Sequence, residues 1–248
     1  MKETKDKFSI QAETYKKFRP VYPDKLYDII LKVTKNRDVC WDCATGNGQV
    51  ANVLSKHFKT VFATDLSEQQ IQQATQCDNI IYSVGRAENS GFSDKQFDLI
   101  TVAQAMHWFD FDAFSKEANR VLKDDGTICI WGYGPLKMEN EVGDLVDKFY
   151  KDIIGPYWDV ERKHIDEAYK NVNLNFKHIE IHNEIAIEEN WPIEQLQGYF
   201  DSWSSVQNYI AKNGKNPVPD IIKEIKEVWG KEEKLKAVLP VFLKIGKN

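Results

Sequence analysis

Between Asp38 and Tyr133 the apolar positions fall in short β-branched and aromatic runs, separated by stretches with helical spacing. The runs Asp38–Cys43 (DVCWDC), Thr60–Thr64 (TVFAT), Asn79–Val84 (NIIYSV), Phe97–Ala103 (FDLITVA) and Thr127–Gly132 (TICIWG) predict five strands. Helices are expected at Gln49–Phe58, Ser67–Thr75 and Asp112–Leu122, with Ser67 as an N-cap and Glu68 adding charge to the first turn. Asp125-Gly126 reads as the turn into the fifth strand. Strands alternating with single helices are the pattern of an α/β protein with a parallel, doubly wound sheet.

The flanks read differently. A helix is expected at Asp24–Val33, behind a proline-stiffened stretch, Phe18-Arg19-Pro20-Val21-Tyr22-Pro23. Beyond Pro135 helices are expected at Glu141–Ile154, Glu161–Lys170, Ile193–Trp203 and Pro219–Trp229. Strand-like segments lie at His178–Ile187 and Lys236–Leu243. Pro240 inside the last strand argues for a sheet edge or a bulge. The reading is one domain: a core at 38–133, an N-terminal cap at 1–37, and helices with a final strand pair at 134–248.

Composition narrows the function. With 42% hydrophobic and 12% aromatic residues the chain can bury a substantial core. Its formal charge of -5 provides no footprint for a nucleic-acid backbone. No apolar run reaches the roughly 20 residues that span a bilayer, and the charged N-terminus lacks a signal-peptide core. Four cysteines are too few for a disulfide framework, so a cytoplasmic setting is expected. Cys40 and Cys43 spell C-x-x-C, but within a strand residues three apart point to opposite faces. His57, His164, His178 and His182 have no metal-ligand spacing with the cysteines, so no metal is expected.

The chemistry starts at Gly46-Asn47-Gly48 with Ala51 three residues on, a G-x-G-x-x-A turn between strand and helix. Asp65 ends the next strand, where an acid that binds ribose hydroxyls belongs. Together these point to a nucleotide-type cofactor. Asp42 decides which kind: a carboxylate just before the loop would repel a pyrophosphate but suits a cationic group. S-adenosylmethionine carries an ammonium, a sulfonium and a ribose diol. Asp42 capping the loop backbone is the plainer alternative.

At these residues the chain resembles the class I S-adenosylmethionine-dependent methyltransferases, and more narrowly the small-molecule branch that includes trans-aconitate methyltransferase-like proteins. Trp41-Asp42-Cys43-Ala44-Thr45-Gly46-Asn47-Gly48-Gln49 resembles the family's first motif, D-x-G-x-G-x-G, with Ala44 in place of the first glycine. Thr64-Asp65-Leu66-Ser67 resembles the second motif. Gly85-Arg86-Ala87-Glu88 is similar to the segment that borders adenine. Phe97 through Asp110, ending in His107-Trp108-Phe109-Asp110, resembles the fourth motif and includes Ala103 and Gln104. Tyr15 with Arg19-Pro20-Val21-Tyr22-Pro23 resembles an N-terminal segment that folds over the cofactor, and Tyr199–Val206 a C-terminal helix of the same branch. The resemblance implies a Rossmann-like seven-stranded sheet with its last strand antiparallel. It also implies S-adenosylmethionine as cofactor, giving S-adenosylhomocysteine, and a small-molecule acceptor whose methylated atom is expected to be an oxygen of a carboxylate.

Methyl transfer is an in-line displacement in which the protein mainly positions the partners. Arg19 is the candidate clamp for a carboxylate of cofactor or substrate. Tyr15 is expected to lean on the cofactor. His107 is the candidate base, but a carboxylate acceptor requires none, and lining the pocket is its alternative role. Trp108 could face a sulfonium or adenine, and Trp203, with Trp191 and Trp229, lies where a substrate pocket would form; core packing is the alternative for each. Two rival functions remain: an NAD-dependent oxidoreductase, which leaves Asp42 unexplained and lacks a Tyr-x-x-x-Lys pair, and a non-catalytic cofactor-binding homologue.

Overall fold

The computed structural model describes residues 18–180 and 184–248. Tyr15 and His182, singled out above, lie outside the described residues.

The described residues form one eight-stranded sheet with helices on both faces. Its parallel half holds β1 (Val39–Cys43), β2 (Thr60–Asp65), β3 (Ile80–Val84), β4 (Phe97–Ala103) and β5 (Leu122–Tyr133), in the order β3-β2-β1-β4-β5. β8 (Leu235–Lys247) then pairs antiparallel with β5. On the far side of β8 lie β6 (Lys177–Ile179) and β7 (Ile185–Trp191), end to end along the same strand. The expected seven strand positions are therefore filled by eight strands among the described residues, because β6 and β7 share the seventh, outermost position. The antiparallel final strand is as expected.

Alternation along the strands sorts the core into two layers. Cys40, Val61, Ala63, Leu99 and Trp131 face one side, Trp41, Cys43, Ile100, Val102 and Ile130 the other. The first layer is covered by α1 (Asp24–Val33), α2 (Gln49–Leu54), α5 (Asn140–Lys148), α7 (Ile193–Asp201) and α9 (Val218–Val228). The second is covered by α4 (Phe111–Val121) and α6 (Arg162–Asp166). Cys40 and Cys43 thus sit in opposite layers, unpaired, and burial pushes both thiols up. Ser67 caps α3 (Glu68–Gln72) as expected, its Oγ accepting from Gln70 N at 3.3 Å.

Four expectations change. Asp125-Gly126 do not end a turn before β5: the strand already runs from Leu122, and its register against β4 shifts between Phe97 and Leu99, which places them in a bulge. Pro240 is not at an edge. β8 is paired on both sides, and the proline sits where β5 ends, its carbonyl accepting from Gly134 N at 2.8 Å. Because N and C=O of one strand residue face the same neighbour, the missing N–H costs β7 no bond. The helix expected over Glu161–Lys170 stops at Asp166, since Ala168 and Tyr169 adopt left-handed φ of 50° and 54° and turn Tyr169 into the core. An unforeseen helix, α8 (Ser204–Asn213), follows α7.

Candidate functional site

Open parallel sheets bind ligands beyond the carboxyl ends of their strands, and a cleft of about 70 Å³ lies there, above β1, β4 and β5. Asp42, Ala44, Thr45, Gly46, Asn47, Gln49 and Val50 line it from the loop between β1 and α2. Ala103, Gln104 and Tyr133 line it from the ends of β4 and β5, and Arg19, Pro20 and Tyr22 from the strap before α1.

The loop is shaped by left-handed residues: Ala44 (φ 56°), Gly46 (57°) and Gly48 (80°). Ala44 occupies a conformation that costs an L-residue about 1 kcal/mol and a glycine almost nothing, which is why the family motif has glycine there. At Gly48 a side chain would overlap the Tyr82 ring, whose hydroxyl donates to Thr75 O at 3.0 Å.

Asp42 is fully buried beneath this loop. Its Oδ2 accepts from Thr45 Oγ1 and its Oδ1 from Thr101 Oγ1, at 2.5 and 2.8 Å. Burial raises its pKa to about 6 against the pull of the two hydroxyls and the Ala51 backbone, and the charge of Asp65 adds to the rise. Asp65 ties the loop to the end of β2, with Oδ2 accepting from Gly46 N and Oδ1 from Ser67 N, each at 2.8 Å. Asn47 is 7% exposed, lines the cleft, and its Nδ2 donor has no partner among the described residues. A buried carboxylate, a half-exposed one and an idle amide donor fit a ligand with a cation, a diol and a carboxylate, as S-adenosylmethionine has.

The cleft floor is set by Gln104. Its φ of 52° is held by its N–H donating to Trp131 O at 2.8 Å, while its side-chain amide pairs with the Tyr133 backbone as an added strand would. Gly132 makes room, since any Cβ there would overlap Gln104 Oε1 and the Phe242 ring. Gly132→Ala is expected to dislodge Gln104, costing about 1–3 kcal/mol of stability and weakening cofactor binding several-fold; thermal unfolding and S-adenosylhomocysteine titration check both.

The strap is clamped across the opening. Arg19 donates from Nη1 to Tyr133 Oη at 2.8 Å and from Nη2 to Ser202 O at 3.0 Å, over the Tyr199 ring at 5.5 Å. Phe18 packs on Gly198, where a Cβ would collide with its ring.

Of the residues singled out in the sequence, Arg19, Asp42, Ala44, Gly46, Asn47, Ala103 and Gln104 meet in the cleft. Asp65 and Gly48 stand one contact behind it. Leu66, 45% exposed, and Ala87 and Glu88, after β3, lie off the lining; Glu88 accepts from Asp110 N at 3.1 Å. His107 and Trp108 do not line it either. Their rings lie 4.7 Å apart at a tilt of 44°, with Trp108 packed against the second core layer, and His107 Nδ1 meets Tyr169 Oη at 2.9 Å. Burial first, then the charges of Arg162 and His164, lower the His107 pKa to about 3. A histidine held neutral there is a poor base at neutral pH. His107→Gln is expected to leave the shape of the pH–rate profile unchanged. Trp203, 3% exposed, is the hub of an aromatic cluster with Phe149, Tyr150, Trp158, Tyr199 and Phe200. Sequence reasoning missed Thr45, Gln49, Val50, Thr101 and Tyr133 as site residues; only their adjacency to the motifs signalled them.

A doubly wound sheet with an antiparallel last strand, an acid-preceded glycine loop and a second acid at the end of β2 defines a nucleoside-cofactor transferase of the methyltransferase kind. The comparisons agree. A family model described as a methyltransferase domain matches residues 41–130. A Dictyostelium discoideum methyltransferase is 35% identical, covering 98% of this chain and 95% of its own. A Saccharomyces cerevisiae S-adenosylmethionine-dependent methyltransferase is 24% identical over 89% of this chain and 88% of its own. The solved structure of a type II methyltransferase from Anaeromyxobacter dehalogenans superposes with a TM-score of 0.85 at 32% identity, covering 93% of this chain and 98% of that one. A Haemonchus contortus phosphoethanolamine N-methyltransferase, solved with phosphomonomethylethanolamine and S-adenosylhomocysteine, shares the fold at a TM-score of 0.51 and 16% identity, over 97% of this chain and 58% of that one. The chain belongs to the S-adenosylmethionine-dependent methyltransferases, and the oxidoreductase reading is set aside. No helix among the described residues is long and apolar enough to cross a membrane.

Proposed function

We propose that this methyltransferase acts on a small molecule and that the atom methylated is an oxygen of a carboxylate. The observation that carries the reading is the titratable lining of the cleft: Arg19, Tyr22, Asp42 and Tyr133, with Asp42 engaged by two threonine hydroxyls. None of these is a free base, and a carboxylate acceptor, already ionised, asks for none. The cofactor supplies a methyl group on sulfur that is already activated for displacement.

The protein's own part is binding and exclusion of water. Asp42 faces the cofactor's cationic end, Asn47 Nδ2 donates to its carboxylate, and Asp65 takes the ribose hydroxyls. Leu66, Ala87 and Glu88 border the adenine. Arg19 and the strap close the cleft, and residues 134–248 supply the acceptor side of a single domain. We place the enzyme in the cytoplasm on its four unpaired cysteines.

Calorimetric titration with S-adenosylhomocysteine, with NAD as the control, tests the cofactor site. Incubation with methyl-labelled cofactor and matched carboxylic acids, alcohols and amines tests the acceptor. Label in base-labile esters is expected; label confined to amines or alcohols refutes the carboxylate reading.

A further inference from the structure

A second guanidinium, that of Arg162, leaves both Nη groups unused among the described residues. Arg162, at the start of α6, lies with Cζ 4.6 Å from the centre of the Trp158 ring and 5.5 Å from that of Tyr150. Its Nε donates to Tyr150 Oη at 3.0 Å and points at Asp166 Oδ1 at 3.4 Å, while Tyr150 itself donates to Asp166 Oδ1 at 2.8 Å. The side chain is only 16% exposed, yet neither Nη atom donates to any group among the described residues.

A guanidinium that is stacked, oriented and largely dehydrated, with its outer edge unused, is pre-organised for a planar anion. The neighbours place it at the active end of the sheet. α6 packs on the turn Met106–Trp108 that follows β4, and the charge of Arg162 reaches His107, Tyr169 and Tyr199. Tyr199 is the ring that carries Arg19 on its face.

We propose that Arg162 is a specificity-determining residue that takes a carboxylate of the acceptor on its Nη edge, with the Trp158 and Tyr150 rings beside the acceptor's apolar body. A monoanion suits the site better than a phosphate dianion, because Asp166 already stands at Nε. This rests on the reading of the acceptor as a small acid, and it assigns Arg162 a role separate from Arg19, whose Nη donors are committed to Tyr133 and Ser202.

The test is a tryptophan-fluorescence titration of protein saturated with S-adenosylhomocysteine, using benzoate and its uncharged isostere benzamide. Trp158, under the guanidinium, is the reporter. Saturable binding that favours benzoate is expected, with the preference falling about tenfold or more in Arg162→Gln and partly kept in Arg162→Lys. Affinity for S-adenosylhomocysteine should not change in either variant. Equal response to the two probes, no saturable benzoate response, or a preference that survives both substitutions overturns the assignment. Loss of S-adenosylhomocysteine binding by the unmodified protein would instead mark failure of the cofactor site. Should Arg162→Gln unfold, a full preference retained by Arg162→Met, which keeps the apolar stem, refutes the role equally well.

Discussion

Asp42→Asn is expected to make the protein more stable and a worse enzyme. The carboxyl is fully buried, and moving its pKa from 3.8 to about 6 corresponds to roughly 3 kcal/mol of strain on the ionised form. An amide has no charge to desolvate, and the Thr45 and Thr101 hydroxyls can turn to meet its oxygen and nitrogen. The sign of the pH dependence follows. Between pH 4 and 6 the folded protein holds a proton on Asp42 that the unfolded chain has lost, so the penalty is full above pH 6 and fades toward pH 4. Chemical denaturation at pH 7.5 should therefore show a gain of up to about 3 kcal/mol for the variant, shrinking to near zero at pH 4. Affinity for S-adenosylhomocysteine should move the other way, dropping by about 100-fold at pH 7.5 if a buried ion pair with the ammonium is lost. In the unmodified protein that affinity should weaken below pH 6 by up to about tenfold per pH unit, as Asp42 takes up a proton. A variant with unchanged affinity at pH 7.5 would leave Asp42 as a loop cap and no more.

Asp65→Ala should damage binding and loop order together. Each of its oxygens accepts one backbone N–H, from Gly46 and from Ser67, so the carboxylate staples the β1–α2 loop to the start of α3. Water can reach the vacated donors because the residue is half-buried, which limits the stability loss to about 1–3 kcal/mol. Cofactor affinity should fall by about 100-fold, from the lost ribose contacts and the loosened loop together. Asp65→Asn separates the two contributions. Its amide still offers one acceptor but turns a donor toward one of the two N–H groups, so it should lose stability like alanine while keeping more of the affinity. Calorimetry and thermal unfolding on both variants decide; an alanine variant that binds normally would remove Asp65 from the site.

The parallel half of the sheet was legible because its signal is local. β1 through β4 match their predicted runs to within a residue or two, and Asp42, Gly46 and Asp65 stand at strand ends where the periodicity places them. Ala44 was visible as a departure from glycine, but its left-handed backbone was not. What failed depended on contacts distant in sequence. His107 looked like a base because of its residue type; that it stays neutral is decided by burial and by the charges of Arg162 and His164, and its Nδ1 meets Tyr169, 62 residues away. Trp203 looked like a pocket wall, and its burial is decided by aromatics from three separate segments. Tyr133 is an ordinary strand residue until Arg19, 114 positions earlier, reaches its hydroxyl. No periodicity encodes such meetings.

The place of β8 bears on how the protein comes into being. β8 does not flank the sheet; it is inserted between β5 and the β6–β7 line, with ladders on both sides. Until residues 235–247 have left the ribosome, β5 has an open edge facing β7, and the buried faces of Ala237, Leu239 and Ile245 have no counterpart. Such pairings, over a hundred residues apart for β5 and β8, are slow to form. Up to that point the nascent chain is a half-closed sheet with exposed strand edges, a state prone to aggregate. Chaperone demand should be set by the thirteen residues of β8 more than by any part of the catalytic half.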